Sequence, residues 1–262
     1  MISVLIFVFG LCLGSFLNCF IYRLRKKQSI LGRSYCPDCK TKIAWYDNIP
    51  LLSFILLKGK CRHCRKKISW QYPLVELVTA VLFLIIWQKY KIDVDSFTRY
   101  SLLVTRYSKL IRDWLFVCIL IVIFIYDLRW QLILDKITLP AMVIAFGLNI
   151  WLGISWQNLL LAGIIGGGFF LTQYLISRGR WIGGGDIRLG VLMGLMLGWP
   201  QIIVALMLAY ISGAIVGIGL ILGKKKQWSS HIPFGTFLSA ATIVAMLWGE
   251  EILSWYPKLI LF

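Results

Sequence analysis

Two kinds of side chain in this sequence have the type and spacing to do chemistry: paired cysteines near the N-terminus and separated aspartates farther along. Cys36 and Cys39 form one C-x-x-C pair, and Cys61 and Cys64 form a second pair after 21 intervening residues. Each pair can present two thiolates, and four thiolates complete a tetrahedral shell with no open position for water. The pattern therefore predicts a structural Zn²⁺ site, with two disulfides or an iron centre as the alternatives.

The aspartates stand at the edges of apolar segments. Asp127 directly follows an apolar run, while Asp186 follows Gly183, Gly184 and Gly185 and precedes another apolar run. Carboxylates are costly inside a bilayer and are usually functional there. Two carboxylates held close together share a proton, so one can activate a water while the other polarises a carbonyl or protonates a leaving group. We expect an aspartyl peptidase site, in which the glycines permit φ > 0 and let a substrate backbone approach.

The same spacings also fit purely structural roles. Asp186 can serve as the N-cap of the helix that follows it, and Asp127 can be an interfacial residue beside Arg129. Asp135, which precedes Lys136, fits a salt-bridged loop residue. The spacing of these residues leaves both interpretations open.

The composition indicates which elements position these residues. The chain of 262 residues is 59% hydrophobic and 15% charged, whereas soluble domains are about 45–50% apolar and about 25% charged. The excess apolar surface must face lipid, and about 20 apolar residues span a bilayer as a helix. We expect an all-α polytopic membrane protein of about eight transmembrane helices with a small cytoplasmic zinc-ribbon insert. The eight segments lie at about Met1–Tyr22, Leu74–Trp87, Trp114–Tyr126, Ile137–Ile154, Leu159–Ile176, Ile187–Trp199, Ile202–Leu222 and Pro233–Trp248.

Charge placement predicts the orientation. Of the 28 Lys and Arg residues, 13 lie in residues 23–67, beside only two acids, and such clusters mark the cytoplasmic face and attract anionic lipid. We therefore expect residues 1–22 to be a retained first transmembrane helix that begins outside, residues 23–73 a cytoplasmic Cys₄ zinc-binding insert, and residues 74–262 the transmembrane peptidase core. Contact with the lipid bilayer accounts for the charge, so no nucleic-acid partner is expected. The stretch Lys89–Arg112 is an exception, with six basic residues on the nominal outer side.

Several short motifs follow one another in a fixed order along the chain. They are Gly14-Ser15-Phe16-Leu17-Asn18, Tyr22-Arg23-Leu24, Trp45–Ser53, Tyr72–Leu77, Asp127 with Leu139-Pro140, Gly183–Leu189 and Ile232-Pro233-Phe234-Gly235. Together with the two cysteine pairs, this ordered set resembles the bacterial prepilin peptidases, also called type IV leader peptidases. Leu134 and Thr236 depart from the pattern, because members of that family often carry proline at both positions.

The resemblance implies a GxGD-type intramembrane aspartyl protease with Asp127 and Asp186 as its catalytic residues. It implies a multi-pass protein of the bacterial inner membrane with its active site facing the cytoplasm. Its substrates would be prepilins and pilin-like proteins of type IV pili or type II secretion, which carry a short basic leader before an apolar helix. Many members also methylate the new N-terminus with S-adenosylmethionine.

Three other functions fit the sequence. Within the enzyme class, the alternative is a leader peptidase without methyltransferase activity. From other classes, the alternatives are a membrane transporter that uses buried Asp residues and a membrane anchor that holds a partner through its basic zinc ribbon.

Overall fold

The structure, a computed structural model, describes residues 1–90, 100–223 and 233–260. Within these ranges it contains nine α-helices and no strand; two isolated bridges, Tyr35 with Lys42 and Lys60 with Lys67, stand in the insert. The helices are α1 Ile2–Arg25, α2 Leu52–Leu56, α3 Gln71–Tyr90, α4 Tyr100–Trp130, α5 Asp135–Trp151, α6 Trp156–Ser177, α7 Gly184–Leu197, α8 Gln201–Leu222 and α9 Phe234–Ile260. The chain forms two compact units, Met1–Tyr100 and Ser101–Phe262.

The multi-pass all-α class predicted from the sequence is confirmed. Among the described residues, five helices are long and apolar enough to cross a membrane: α1, α3, α6, α8 and the Phe234–Trp255 part of α9. The other three predicted segments correspond to α4, α5 and α7. At 17 and 14 residues, α5 and α7 are shorter than the roughly 20 residues of a full crossing.

The third segment begins earlier than the apolar pattern indicates. We expected it to start near Trp114, but α4 is helical from Tyr100. Part of the charged stretch before Trp114 is thus helical, while its residues 91–99 lie outside the described residues. The basic run Lys224–Lys226 and Ile232 of the last motif lie outside them as well.

In the first unit, α1 and α3 pack at backbone distance. A Cβ at Gly10 would stand 2.6 Å from the Cα of Ala80, and a Cβ at Gly14 would stand 2.6 Å from the Cα of Glu76. Neither glycine can be replaced without separating the helices. Small residues at such spacing let helices associate in lipid, where no hydrophobic effect drives them together.

In the second unit, α7 is the buried helix of the bundle and packs chiefly on α6. A Cβ at Gly166 would stand 2.3 Å from the carbonyl oxygen of Gly190, and a Cβ at Gly194 would stand 2.2 Å from that of Ala162. Gly166 therefore lets α6 and α7 approach at backbone distance. Gly168, in contrast, has open space beside it. Because α6 and α7 touch through their backbones, the position of α6 determines where α7 can lie.

The C-terminal end of α7 is held by a buried polar network. The side-chain amide of Asn149 donates hydrogen bonds to the carbonyl oxygens of Leu195 (2.7 Å) and Met196 (3.1 Å). These carbonyls belong to the last turn, where a helix leaves its acceptors without internal partners. The Asn149 oxygen accepts a hydrogen bond from Arg112 (2.9 Å), whose guanidinium is 2.7 Å from the buried carboxylate of Asp113. Part of the unexpected charge in α4 is therefore internal to the bundle.

Candidate active site and metal centre

Asp127 lies in the last turn of α4, pointing at the start of α9. Its side chain is buried, and its Oδ2 accepts a 2.8 Å hydrogen bond from the backbone N–H of Thr236. A Cβ at Gly235 would stand 2.9 Å from the same oxygen. The carboxylate faces the N-terminus of a helix, where backbone N–H groups stabilise negative charge.

Asp186 lies in the first turn of α7. The N-cap is Gly183, and Asp186 is the third helical residue, reaching back so that its Oδ2 accepts a 3.3 Å hydrogen bond from the Gly183 N–H. The expectation that Asp186 itself is the N-cap is therefore wrong, because the N-cap is Gly183, three residues earlier. This long hydrogen bond to one oxygen leaves the other carboxylate oxygen available for chemistry.

The two aspartates are brought to the same region by Ile133, which lies between α4 and α5. A Cβ at Gly185 would stand 3.0 Å from the Ile133 Cβ, and a Cβ at Gly235 would stand 3.1 Å from the Ile133 Cδ1. Ile133 therefore touches both the residue before Asp186 and the residue that abuts Asp127. The carboxylates are close enough for the charge of Asp127 to act on Asp186. They are 59 residues apart in the chain, so only the fold makes them neighbours.

The three glycines before Asp186 do not adopt the conformation expected from the sequence. None of them has a positive φ, and Gly183 is extended at φ −80° and ψ 155°. The expectation that they permit φ > 0 is wrong. Gly185 must be glycine for another reason, because an added Cβ there would stand too close to Ile133. An added Cβ at Gly183 would stand 3.8 Å from the Asp186 Oδ2 and one at Gly184 would stand 3.8 Å from the Arg188 guanidinium, both ordinary contact distances.

Asp135 stands at the first residue of α5 and is paired, but with Arg188 of α7 and not with the neighbouring Lys136. Arg188 also donates a 3.2 Å hydrogen bond to the Gly184 carbonyl oxygen. Both side chains of the pair are exposed. The salt bridge expected for Asp135 therefore exists, and it joins the start of α5 to the turn that carries Asp186.

The two departures from the family pattern have different consequences. Leu134 is the N-cap of α5 with φ −87°, close to the value that proline fixes, so the helix starts as it would with proline. Thr236 supplies the N–H that binds Asp127, and proline has no N–H to give. This chain therefore holds Asp127 by a hydrogen bond that a proline at this position could not make.

Tyr210 of α8 is a neighbour of the site that the sequence reasoning missed. Its hydroxyl donates a 2.8 Å hydrogen bond to Gln173 of α6, and its ring lies 5.0 Å from the ring of Phe234 at the start of α9. Tyr210 is close enough for an electrostatic interaction with Asp186. It sits in an apolar run without any flanking polar residue, so the sequence carries no signal for it.

In the first unit, the motifs of residues 14–18, 45–53 and 72–77 meet on α1 and α3. The Glu76 carboxylate accepts a 2.9 Å hydrogen bond from the Leu51 N–H and another from Ser15. The Asn18 amide donates to the Tyr72 carbonyl oxygen at 3.0 Å. Glu76 and Asn18 are both buried. The motifs that the resemblance singled out are therefore a single packed cluster, in which buried polar groups are paired as burial requires.

The four cysteines form one cluster. Their Sγ atoms all lie within 4.8 Å of one another, and those of Cys36 and Cys64 are 3.9 Å apart. A tetrahedral ion with bonds of about 2.3 Å to sulfur requires sulfur atoms about 3.8 Å apart. The cluster therefore fits a metal ion. The remaining cysteines, Cys12, Cys19 and Cys118, stand apart from it.

The ionisation of these thiols also favours a bound cation. Hydrogen bonds with Thr41 lower the pKa of Cys39 to about 6. At Cys64 a backbone hydrogen bond from Lys66 lowers the pKa, but burial and the other thiols raise it further, to about 11. The four thiols therefore titrate together, and each added negative charge opposes the next. A metal ion removes this conflict by neutralising the thiolates.

Each of the two compact units matches a known protein-family model. Residues 8–90 match the model of the bacterial peptidase A24 N-terminal domain, and residues 114–218 match that of the type IV leader peptidase family. Each match falls inside one of the two compact units. No solved structure matches this chain.

Relatives match over almost the whole chain. A prepilin leader peptidase/N-methyltransferase of Aeromonas salmonicida (strain A449) is 33% identical over 98% of this chain and 94% of its own length. Proteins of the same name from Bacillus subtilis (strain 168), at 32% identity over the full length of both chains, and from Legionella pneumophila, at 30% over 95% of this chain and 92% of its own length, are also similar. With these matches and the ordered motifs, the chain belongs to the type IV leader peptidase family.

Proposed function

We propose that this protein is a prepilin leader peptidase that hydrolyses its substrate with Asp127 and Asp186 and methylates the new N-terminus. The observation that carries the proposal is the meeting of two aspartates from distant helices beside Ile133 in a chain of the leader peptidase family. One aspartate stands at the end of α4 and the other in the first turn of α7. Each comes from a rigid helix, so their separation is fixed before a substrate binds.

The reaction follows from a carboxyl pair that shares one proton. The ionised member removes a proton from a water, whose oxygen then adds to the scissile carbonyl carbon. The protonated member donates its proton to the carbonyl oxygen, giving a tetrahedral intermediate. The C–N bond then breaks as the leaving nitrogen accepts the proton that the first carboxylate took from water, and one hydroxyl of the intermediate returns its proton to the second carboxylate, giving the free carboxyl product and restoring the shared proton. Thr236 holds the Asp127 carboxylate by its N–H throughout, and the substrate backbone approaches along Gly183 and Gly184, which have no side chains.

The substrates in this proposal are prepilins and pilin-like proteins. Their apolar helix stays in the bilayer while the basic leader remains at the cytoplasmic face, so the scissile bond lies at the level of the two aspartates. We place the active site on the cytoplasmic side of the bacterial inner membrane, because the basic insert marks that side. We propose the division inferred from the sequence: residues 1–22 as the first transmembrane helix, residues 23–73 as the insert and residues 74–262 as the peptidase core.

We assign Zn²⁺ to the four-cysteine cluster as a structural ion. Four thiolates leave no position for a reacting water, and zinc prefers this tetrahedral sulfur shell. The insert has few buried apolar residues, with Cys36 alone among its members in the buried apolar set. The ion therefore supplies the stability that a hydrophobic core provides elsewhere. His63 is exposed and stands outside the cluster.

The methyl donor is S-adenosylmethionine, which provides an electrophilic methyl group to the amine that cleavage exposes. Its sulfonium is a cation. The cavity beside Arg23 is lined by three cations, Arg23, Arg33 and Lys40. They would repel the positively charged sulfur, so we do not place the methyl donor in this cavity. The alternative is a peptidase without methyltransferase activity.

The experiment that separates these functions is mass spectrometry of a prepilin N-terminus. A pilin precursor is expressed with and without this protein. Loss of the leader with a further gain of 14 Da, the mass of one CH₂, supports both activities. Loss of the leader alone supports the peptidase without methylation, and an unprocessed precursor contradicts the proposal.

A further inference from the structure

A basic cavity stands where α1 ends and the insert begins. Its volume is about 480 Å³. Of the eight described residues that line it, three are cationic and none is acidic: the cations are Arg23, Arg33 and Lys40. Ser29 and Tyr35 also line the cavity, and the Tyr35 hydroxyl donates a hydrogen bond to Gln28. A group of cations without an acid recognises a phosphate group.

The cavity is built around a buried arginine. The Arg23 side chain is 4% exposed, and its guanidinium donates hydrogen bonds to backbone carbonyl oxygens of the loop that follows α1. The acceptors are Ser29, Ile30, Gly32 and Arg33. Gly32 has φ +119°, a conformation open to glycine, so the loop can fold back onto the last turn of α1. These carbonyls use the four terminal N–H groups of the guanidinium, so Arg23 orders the loop, and Arg33 and Lys40 are the lining cations that can contact a ligand.

The acids of the insert do not neutralise this cavity, because both are paired with other cations. Asp38 lies 2.8 Å from Lys66, and Asp47 lies 2.6 Å from Arg62 in a bidentate pair. The arginine beside Asp47 holds the pKa of that carboxyl below its usual range, so it stays ionised and engaged. The positive charge of the cavity is therefore available to a ligand.

Apolar side chains at the cavity rim indicate what kind of phosphate binds. Leu31, which lines the cavity, is 87% exposed, and the adjacent Ile30 is 51% exposed. Two large apolar residues in one polar loop are unfavourable in water, but not at the level of lipid acyl chains. Arg23 lies in the last turn of α1, a helix long and apolar enough to cross the membrane. The cavity therefore lies at headgroup depth.

We propose that this cavity binds the headgroup phosphate of an anionic phospholipid, with Arg33 and Lys40 against the phosphate, the buried Arg23 holding the loop in place, and Leu31 against the acyl chains. Binding there ties the basic insert to the membrane surface at the exit of α1. The site lies wholly within the first unit and is independent of the two aspartates. It goes beyond the proposed function and does not depend on its outcome.

The test uses the full-length protein in a neutral detergent, titrated with dihexanoyl-phosphatidylglycerol below its micelle concentration and followed by calorimetry. The double variant Arg33→Gln/Lys40→Gln keeps Arg23 and the loop. It should bind the lipid roughly thirtyfold more weakly, the factor for two juxtamembrane cations at about 1 kcal/mol each. The matched control Lys58→Gln/Lys67→Gln removes the same charge from exposed positions outside the cavity and should stay within about twofold.

Titrations with other ligands distinguish a lipid from free phosphate. Dihexanoyl-phosphatidylcholine and inorganic phosphate should each bind at least about tenfold more weakly than the phosphatidylglycerol, because one lacks net charge and the other lacks apolar chains. Leu31→Gln should weaken binding of the lipid but not of inorganic phosphate. Equal losses in the cavity variant and in the matched control would show diffuse attraction and overturn the site. Equal affinity for phosphate and lipid would overturn the assignment to lipid.

Discussion

The carboxylate of Asp127 and the backbone N–H of Thr236 are joined by a 2.8 Å hydrogen bond across 109 residues of sequence. The bond ties the end of α4 to the beginning of α9, and it aims one candidate catalytic oxygen at a helix N-terminus. Thr236 contributes through its backbone, while its own hydroxyl is turned to the carbonyl oxygen of Pro233 at 2.7 Å. The position of Asp127 is therefore set by main-chain geometry.

Replacing either aspartate by asparagine should abolish cleavage. Asp127→Asn and Asp186→Asn each keep the side-chain shape but cannot share or transfer the proton, so the rate should fall by at least about 10³-fold. The measurement is the rate of leader removal from a purified prepilin in detergent. Asp135→Asn is the matched control, since Asp135 is an exposed carboxylate paired with Arg188; it should retain activity within about tenfold. A normal rate of leader removal by either variant would show that Asp127 and Asp186 are not the catalytic pair.

A methyl group at Gly235 should displace the Asp127 carboxylate. The Cβ of Gly235→Ala would stand 2.9 Å from Oδ2 and 3.1 Å from Ile133, so the carboxylate must move. A misplacement of about 1 Å costs about 10²-fold in rate, and we expect a loss in kcat of that order. Gly219→Ala is the control, because a Cβ there meets nothing within 4 Å. If both variants cleaved equally well, close contact at Gly235 would not matter to the reaction.

The four-cysteine cluster should contain one zinc ion per chain when the purified protein is analysed by plasma emission spectrometry. Cys36→Ser/Cys64→Ser should lose the ion and unfold the insert, because the thiolate–metal bonds replace a core there. Protease cleavage within residues 23–73 reports that unfolding. The control is Cys12→Ser/Cys118→Ser, which removes two thiols outside the cluster. Full stability without metal would show that the ion is dispensable.

Breaking the anchor at the C-terminal end of α7 should lower both stability and activity. Asn149→Leu leaves the carbonyl oxygens of Leu195 and Met196 without their donor, at a cost of about 1–3 kcal/mol for buried groups. Since Asp186 stands at the other end of the same helix, kcat should fall while KM changes little. Thermal unfolding in detergent and steady-state cleavage measure the two effects.

The control for this anchor is Asn158→Ala. Asn158 also binds the region after α7, through the N–H and the carbonyl oxygen of Trp199, but its contacts are exposed. Water can replace them, so this variant should be close to wild type. Equal losses at the two asparagines would contradict a specific role for the buried network.

The sequence by itself determined the class of the protein and the identity of its chemical groups. Apolar runs longer than a soluble fold can bury predicted the membrane helices, because lipid-facing surface must be apolar on every side. The C-x-x-C spacing is local and predicted the cysteine cluster, since each pair forms within one turn. The ordered motifs indicated the family and the two aspartates.

Only the tertiary structure decided how those groups meet. It placed Asp127 against Thr236 and Gly235, gave Asp135 its partner in Arg188, and brought Tyr210 beside the site. It also showed that the glycines before Asp186 are not left-handed. These relations join residues on different helices, and helix packing selects them through close contacts of small residues rather than through any local sequence pattern.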